Sequence, residues 1–107
     1  MANSIKQIAV IGAGAWGTAL ASVVRRAGRQ VIIHAHESET AEAINTGHEN
    51  KVFLPNIPLD PNIRATTSLK DAVGDADAIL IVTPAQFLRP TLTQIAETKL
   101  DPVPIVI

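Results

Sequence analysis

Residues 8–24, from Ile8 to Val24, read IAVIGAGAWGTALASVV: 17 positions without a charge, broken by Gly12, Gly14 and Gly17. A membrane span needs about 20 predominantly apolar residues, whereas this run is rich in small residues and changes period partway along. Before the glycines, Lys6 to Ile11 reads as a buried β run. After them, Leu20, Val23, Val24 and Ala27 recur at helical spacing with Arg25, Arg26 and Arg29 off that stripe, which predicts a helix beginning near Trp16. The glycines therefore lie between a strand and a helix.

Working outward, Gly28 suits a left-handed residue ending that helix, and VIIH (31–34) follows as a second β run, completing a β-α-β unit. Ser38 is predicted to cap a short helix whose first turns carry Glu39 and Glu42, where carboxylates favour the positive end of the dipole, and Gly47 to stop it. Residues Asn62 to Thr66 give a short strand. Ser68 with Asp71 resembles a capping box with Asp in place of Glu, and Gly74 closes that helix. Residues Ala78 to Val82, AILIV, form a continuous aliphatic run, as expected of a strand covered on both faces. A helix from Gln86 to about Thr98 follows, with Leu88, Leu92 and Ile95 on one side and Pro90 tolerated in its first turn. The closing VPIVI (103–107) reads as a further buried strand, so the chain is expected to be cut within or after a fifth strand. Strands alternating with helices demand a parallel sheet with helices on both faces, because the crossovers are right-handed. The expectation is one α/β, doubly wound domain spanning residues 1–107.

Composition narrows the function classes. Nine Lys and Arg stand against ten Asp and Glu, so no basic footprint exists for nucleic acid or for an anionic membrane surface. The chain has no cysteine, which removes disulfides and thiolate zinc sites and fits a reducing compartment, the cytoplasm. The first residues lack a cationic region followed by an apolar one, so no export signal and no stable membrane anchor are expected, and no residues are singled out as metal ligands.

One segment breaks the short-loop rule. Residues Gly47 to Asn62, GHENKVFLPNIPLDPN, run for 16 positions without an element, and loops of that length in compact domains are usually functional or disordered. Its apolar content argues against disorder. Pro55, Pro58 and Pro61 recur every third residue like a polyproline ligand, but Phe53 and Leu54 look made to pack.

Between strand and helix, the GxGxxG spacing has a physical rationale. Gly12 allows the tight turn, Gly14 lets the backbone approach a pyrophosphate, and Gly17 lets the helix pack closely. The helix start then points unsatisfied amides at the anion, with its dipole assisting. This is the dinucleotide fingerprint of a Rossmann-type sheet. Glu37, 20 residues beyond Gly17, is a candidate acceptor for the ribose 2′-hydroxyl of NAD, while the adjacent His36 is a candidate donor to the 2′-phosphate of NADP. The alternative is that HAHE (34–37) is only a polar strand end with solvated histidines. In doubly wound sheets the ligand lies beyond the carboxyl ends of the strands, where strand order reverses, which puts Thr83 to Phe87 opposite Gly12. Phe87 is there a candidate to flank the cofactor or to join the core.

Together, IAVIGAGAWGTALA, HENKVFLPNIPLDPNI and SLKDAVGDADAILIVTPAQFLR resemble the amino-terminal part of the bacterial NAD(P)-dependent glycerol-3-phosphate dehydrogenases, from about Ile8 to Arg89. The most specific elements are the tryptophan before the third glycine and HEN followed by FLPN. The resemblance implies reversible reduction of dihydroxyacetone phosphate, a small phosphorylated triose, to sn-glycerol 3-phosphate for phospholipid backbones, by a homodimer when full length. It implies cofactor contacts at Gly12, Gly14, Ala15, Trp16, Gly17, His36, Phe53 and Phe87. Ala15 stands where the family often has Ser, leaving only its backbone to serve, and Thr83 stands where the family usually has Val.

No catalytic residue is assigned within the chain. The family's catalytic lysines would lie beyond Ile107, and Lys51, Lys70 and Lys99 do not substitute, since the resemblance puts them in a loop, a helix and a helix end. The expectation is that the full-length protein is the enzyme and this chain its cofactor half. The alternatives are a stand-alone nucleotide-binding or sensing module, or another small-substrate reductase of the same superfamily.

Overall fold

A computed structural model describes residues 5–99 and 102–107. The order is β1 (Gln7–Ile11), α1 (Ala15–Arg26), β2 (Gln30–His34), α2 (Ser38–Gly47), β3 (Arg64–Thr66), α3 (Leu69–Val73), β4 (Ala78–Ile81), a single 3-10 turn (Ala85–Phe87), α4 (Leu88–Thr98) and β5 (Ile105–Val106). The strands form one parallel sheet in the order β3-β2-β1-β4-β5. Strand order thus reverses between β1 and β4, as the doubly wound reading expects.

Alternation along each strand divides the core into two layers. Val10, Val31 and Ile33 point to one face and pack with Ala21 of α1 and Ala41 and Ile44 of α2. Ala9, Ile11, Ile32, Ile79 and Ile81 point to the other, against Ala72 and Val73 of α3 and Ile95 of α4. Burying each large aliphatic side chain contributes roughly 1.5–3 kcal/mol.

The structure corrects four local expectations. Helix α1 does not sit down on Leu20, Val23 and Ala27: Gly17, Thr18 and Ala21 are buried with Val24 partly so, while Val23 is 56% exposed and Ala27 is exposed. The cause is the close approach of Gly17 to the glycine loop, which turns the helix onto its small residues. Helix α2 takes Glu37, not Ser38, as its N-cap, because Ala41 N already donates to the Glu37 carbonyl. The left-handed residue ending α2 is His48 (φ +53°), not Gly47, which remains helical. Strand β5 is not buried: it pairs with β4 along one edge, and no described element covers its exposed Ile105 and Val106.

The long segment after α2 holds neither helix nor strand, only a bridge between Asn50 and Leu54. It is nonetheless fastened. Leu59 is buried and its N–H donates to the His48 carbonyl at 2.8 Å, and Asp60 pairs with Arg25 of α1 at 3.3 Å. It is thus a loop anchored to this domain, with Pro55, Pro58 and Pro61 left exposed.

Candidate functional site

The loop after β1 is shaped by its glycines, each in a different way. Gly12 has φ +123°, a region that L side chains rarely adopt, and its N–H continues the ladder by donating to the His34 carbonyl at 3.1 Å. A Cβ there would also come within 2.6 Å of the Val82 carbonyl oxygen, so the loop lies directly against the end of β4. A Cβ on Gly17 would overlap the carbonyl of Gly12. Around Gly14, by contrast, a Cβ would meet nothing within 4 Å.

Gly14 is the N-cap of α1. No side chain caps that terminus, no acidic residue stands in the first turn, and the helical ladder begins with Thr18 N donating to the Gly14 carbonyl at 3.0 Å. The amides of Ala15, Trp16 and Gly17 therefore have no acceptor among the described hydrogen bonds, which together with the dipole makes an anion site.

These amides face a cavity of about 930 Å³ beyond the carboxyl ends of β1, β2 and β4. Gly12, Gly14, Ala15, Trp16, Gly17, His36, Phe53 and Phe87 all line it. The structure thus brings together every residue the sequence reading singled out for a cofactor. Trp16 is 75% exposed, Phe87 52% and Phe53 43%, so none of the three aromatics is a core residue. Phe53, expected to pack, is thus only partly covered.

The residues expected on the adenosine side lie at the end of β2. His36 and Glu37 are both exposed and both border the cavity, as does His34. His34 is half-buried, and its Nε2 lies 3.2 Å from the Thr67 carbonyl oxygen, to which a nitrogen can only donate. Burial lowers its pKa below the ordinary histidine value; the Thr67 bond opposes that shift and the nearby His36 adds to it. His34 is therefore a packed, hydrogen-bonded residue and not a solvated one.

Thr83, at the end of β4, lines the same cavity, and its Oγ1 is buried without a hydrogen-bond partner. Lys51, Lys70 and Lys99 do not line it, and the Nζ of Lys99 donates to the Gly74 carbonyl at 3.0 Å. Among the described residues no group of three His, Cys, Asp or Glu is placed to hold a metal ion, and no helix is long and apolar enough to cross a membrane.

Sequence reasoning missed Asn50. It is fully buried, and its carboxamide reaches the glycine loop, α1 and the backbone of Phe53 at once. The only sequence signal was its place in the HEN triplet, between Glu49 and Lys51 and just ahead of VFL (52–54).

The residues present fit a dinucleotide: free amides for its pyrophosphate, open space at Gly14 for close approach, and apolar walls for its rings. Comparison with known proteins agrees. The family described as NAD-dependent glycerol-3-phosphate dehydrogenase N-terminus matches residues 7–107. A glycerol-3-phosphate dehydrogenase [NAD(P)+] of Rhodospirillum rubrum is 57% identical over 87% of this chain and 27% of that protein. One from Parvibaculum lavamentivorans is 50% identical over all of this chain and 32% of its own length. The crystal structure of glycerol-3-phosphate dehydrogenase from Coxiella burnetii superposes with a TM-score of 0.86 at 32% identity, over 94% of this chain and 31% of that one. The chain thus spans about a third of the length of the relatives it matches.

Proposed function

The chain belongs to the NAD-dependent glycerol-3-phosphate dehydrogenase family, and from that membership we propose that it is the cofactor-holding domain of an oxidoreductase interconverting sn-glycerol 3-phosphate and dihydroxyacetone phosphate with NAD(H) or NADP(H). The observation that carries the reading is the uncapped start of α1 facing a cavity, with open space at Gly14 and none at Gly12 or Gly17. The bound nicotinamide supplies the hydride chemistry. The chain's own residues do the holding: the backbone of Gly14, Ala15, Trp16 and Gly17 binds the pyrophosphate, and Gly12 keeps that backbone against β4. Phe53 and Phe87 border the rings and exclude water from them. His36 and Glu37 meet the adenosine ribose, His36 suiting a 2′-phosphate and Glu37 a 2′-hydroxyl.

The general acid and base, and the contacts to the triose phosphate, belong in this proposal to parts of the full-length protein outside these residues. A homodimer and a part in making glycerophospholipid backbones rest on the family resemblance, a cytoplasmic setting rests on the cysteine-free composition, and all three belong to the same proposal. The test is oxidation of NADH and NADPH by the full-length protein with dihydroxyacetone phosphate, beside ketopantoate and 2-oxo acids as competing substrates. Turnover confined to the triose phosphate is expected; none with either cofactor, or turnover only with another substrate, overturns the proposal.

A further inference from the structure

Asn50 has no exposed surface, and each end of its carboxamide is engaged. Its Nδ2 donates to the Ala13 carbonyl at 2.7 Å and to Thr18 Oγ1 at 2.9 Å, while its Oδ1 accepts from Phe53 N at 3.2 Å. A buried amide satisfied at both ends is costly to break, since each orphaned partner keeps its desolvation penalty. What it joins matters more than its strength. Ala13 sits between Gly12 and Gly14, and in a trans peptide the carbonyl of one residue and the N–H of the next point in opposite directions. Holding the Ala13 carbonyl toward Asn50 therefore aims the Gly14 N–H the other way, on the side where Gly14 borders the cavity. The same side chain holds the backbone of Phe53, whose ring borders that cavity from the long loop.

The loop has few other ties near Phe53. Leu54 N donates back to the Asn50 carbonyl at 2.9 Å and Asn56 N to Glu49 Oε2 at 2.9 Å, both within the loop, and the next anchor in the body of the domain is Leu59. Asn50 is thus the point at which the loop's apex is fixed to the glycine turn.

We infer that Asn50 is a positioning residue of the dinucleotide site, one buried carboxamide that sets the aim of the glycine loop and holds Phe53 over the same ligand. The inference rests on the reading of this cavity as a dinucleotide site. It is tested in the full-length protein by calorimetric titration with NADH of wild type, Asn50→Ala, Asn50→Asp, Phe53→Ala and the Asn50→Ala/Phe53→Ala and Asn50→Asp/Phe53→Ala double variants, with thermal midpoints measured in parallel. Asn50→Ala is expected to weaken NADH at least about tenfold. Loss of the Phe53 ring should then cost nothing further in that background, because the ring is no longer held in place. Asn50→Asp keeps the acceptor for Phe53 N but turns an oxygen toward the Ala13 carbonyl, so it should weaken NADH while leaving the Phe53→Ala loss at its wild-type size. A merely structural Asn50 would lower the thermal midpoint and leave the affinity of the folded protein unchanged, and that result overturns the inference. Wild-type affinity in Asn50→Asp, or Phe53→Ala losses of equal size in the wild-type and Asn50→Ala backgrounds, overturns it as well. Failure of the wild type itself to bind either NADH or NADPH overturns the reading of the cavity, and the inference with it; if it binds only NADPH, the same titrations are made with NADPH.

Discussion

A methyl group added at Gly12, Gly14 or Gly17 would meet three different surroundings, and the consequences separate accordingly. At Gly14 the space is open and φ is −73°, so Gly14→Val should fold normally and yet place its side chain where a pyrophosphate must approach. Affinity for NADH should fall at least about tenfold, roughly 1.4 kcal/mol, with an unchanged thermal midpoint; unchanged binding by calorimetry would refute that placement. At Gly17 the same addition strikes the Gly12 carbonyl, so even Gly17→Ala should lower stability by about 1–3 kcal/mol in a denaturant titration, as overpacking does. The turn at Gly12 and the close packing at Gly17 were legible from sequence because these glycines lie within one hexapeptide whose flanks declare a strand and a helix. Asn50 was not legible, since its partners Ala13 and Thr18 stand 37 and 32 positions away and meet it only once the loop has folded back.

At the scale of elements, strand β3 shows how a short edge is completed. Within one residue of a strand, N–H and C=O point to the same side, and those of Ala65 face away from β2. Asn45 of α2 answers both, with Nδ2 donating to the Ala65 carbonyl at 2.9 Å and Oδ1 accepting from Ala65 N at 2.8 Å. The carboxamide stands in for the next strand's peptide and blunts an edge otherwise open to another chain. Asn45→Ala should cost about 1–3 kcal/mol in urea denaturation, on the order of the two bonds lost; a change below measurement error would mean that water replaces the amide without loss. Strands and helices were read correctly where period and punctuation agreed, as at β4 and at Gly28, whose φ of +87° ends α1 as expected. The reading of α1's buried face failed because hydropathy ranks Leu and Val above Gly, Thr and Ala. Close packing chooses the reverse when a glycine must touch backbone, and that contact is invisible in the helix's own residues. The shift from Gly47 to His48 at the end of α2 has the same character, a choice made by the loop that follows.

Across the sheet, the two groups with displaced pKa values among the described residues, Asp77 and His34, sit at opposite ends and pull stability in the same direction. At the amino end, Asp77 precedes β4 and its Oδ2 accepts from Gln7 N at 3.0 Å and Lys6 N at 2.9 Å, tying the start of β1 to its neighbour. Those backbone bonds, Gln7's foremost, hold its carboxyl below the usual carboxylate value. At the carboxyl end, beside the cavity, burial keeps the His34 imidazole neutral below the ordinary histidine value. In both cases the unfolded chain takes up its proton at a higher pH than the folded one, so stability rises with pH between the folded and unfolded values and is complete above the unfolded one. Acidification should therefore destabilise the protein in two separate windows. The first opens below about pH 6.5 as unfolded His34 becomes charged, and ends once the folded imidazole is protonated as well. The second opens below about pH 4 and runs down through the lowered value of Asp77. Thermal midpoints followed from pH 7.5 to pH 3 would resolve them. His34→Gln, which keeps a donor for the Thr67 carbonyl, should flatten the upper window and leave the lower, while Asp77→Asn should do the opposite. A wild-type slope between about pH 6.5 and 5 in His34→Gln would remove His34 from the account.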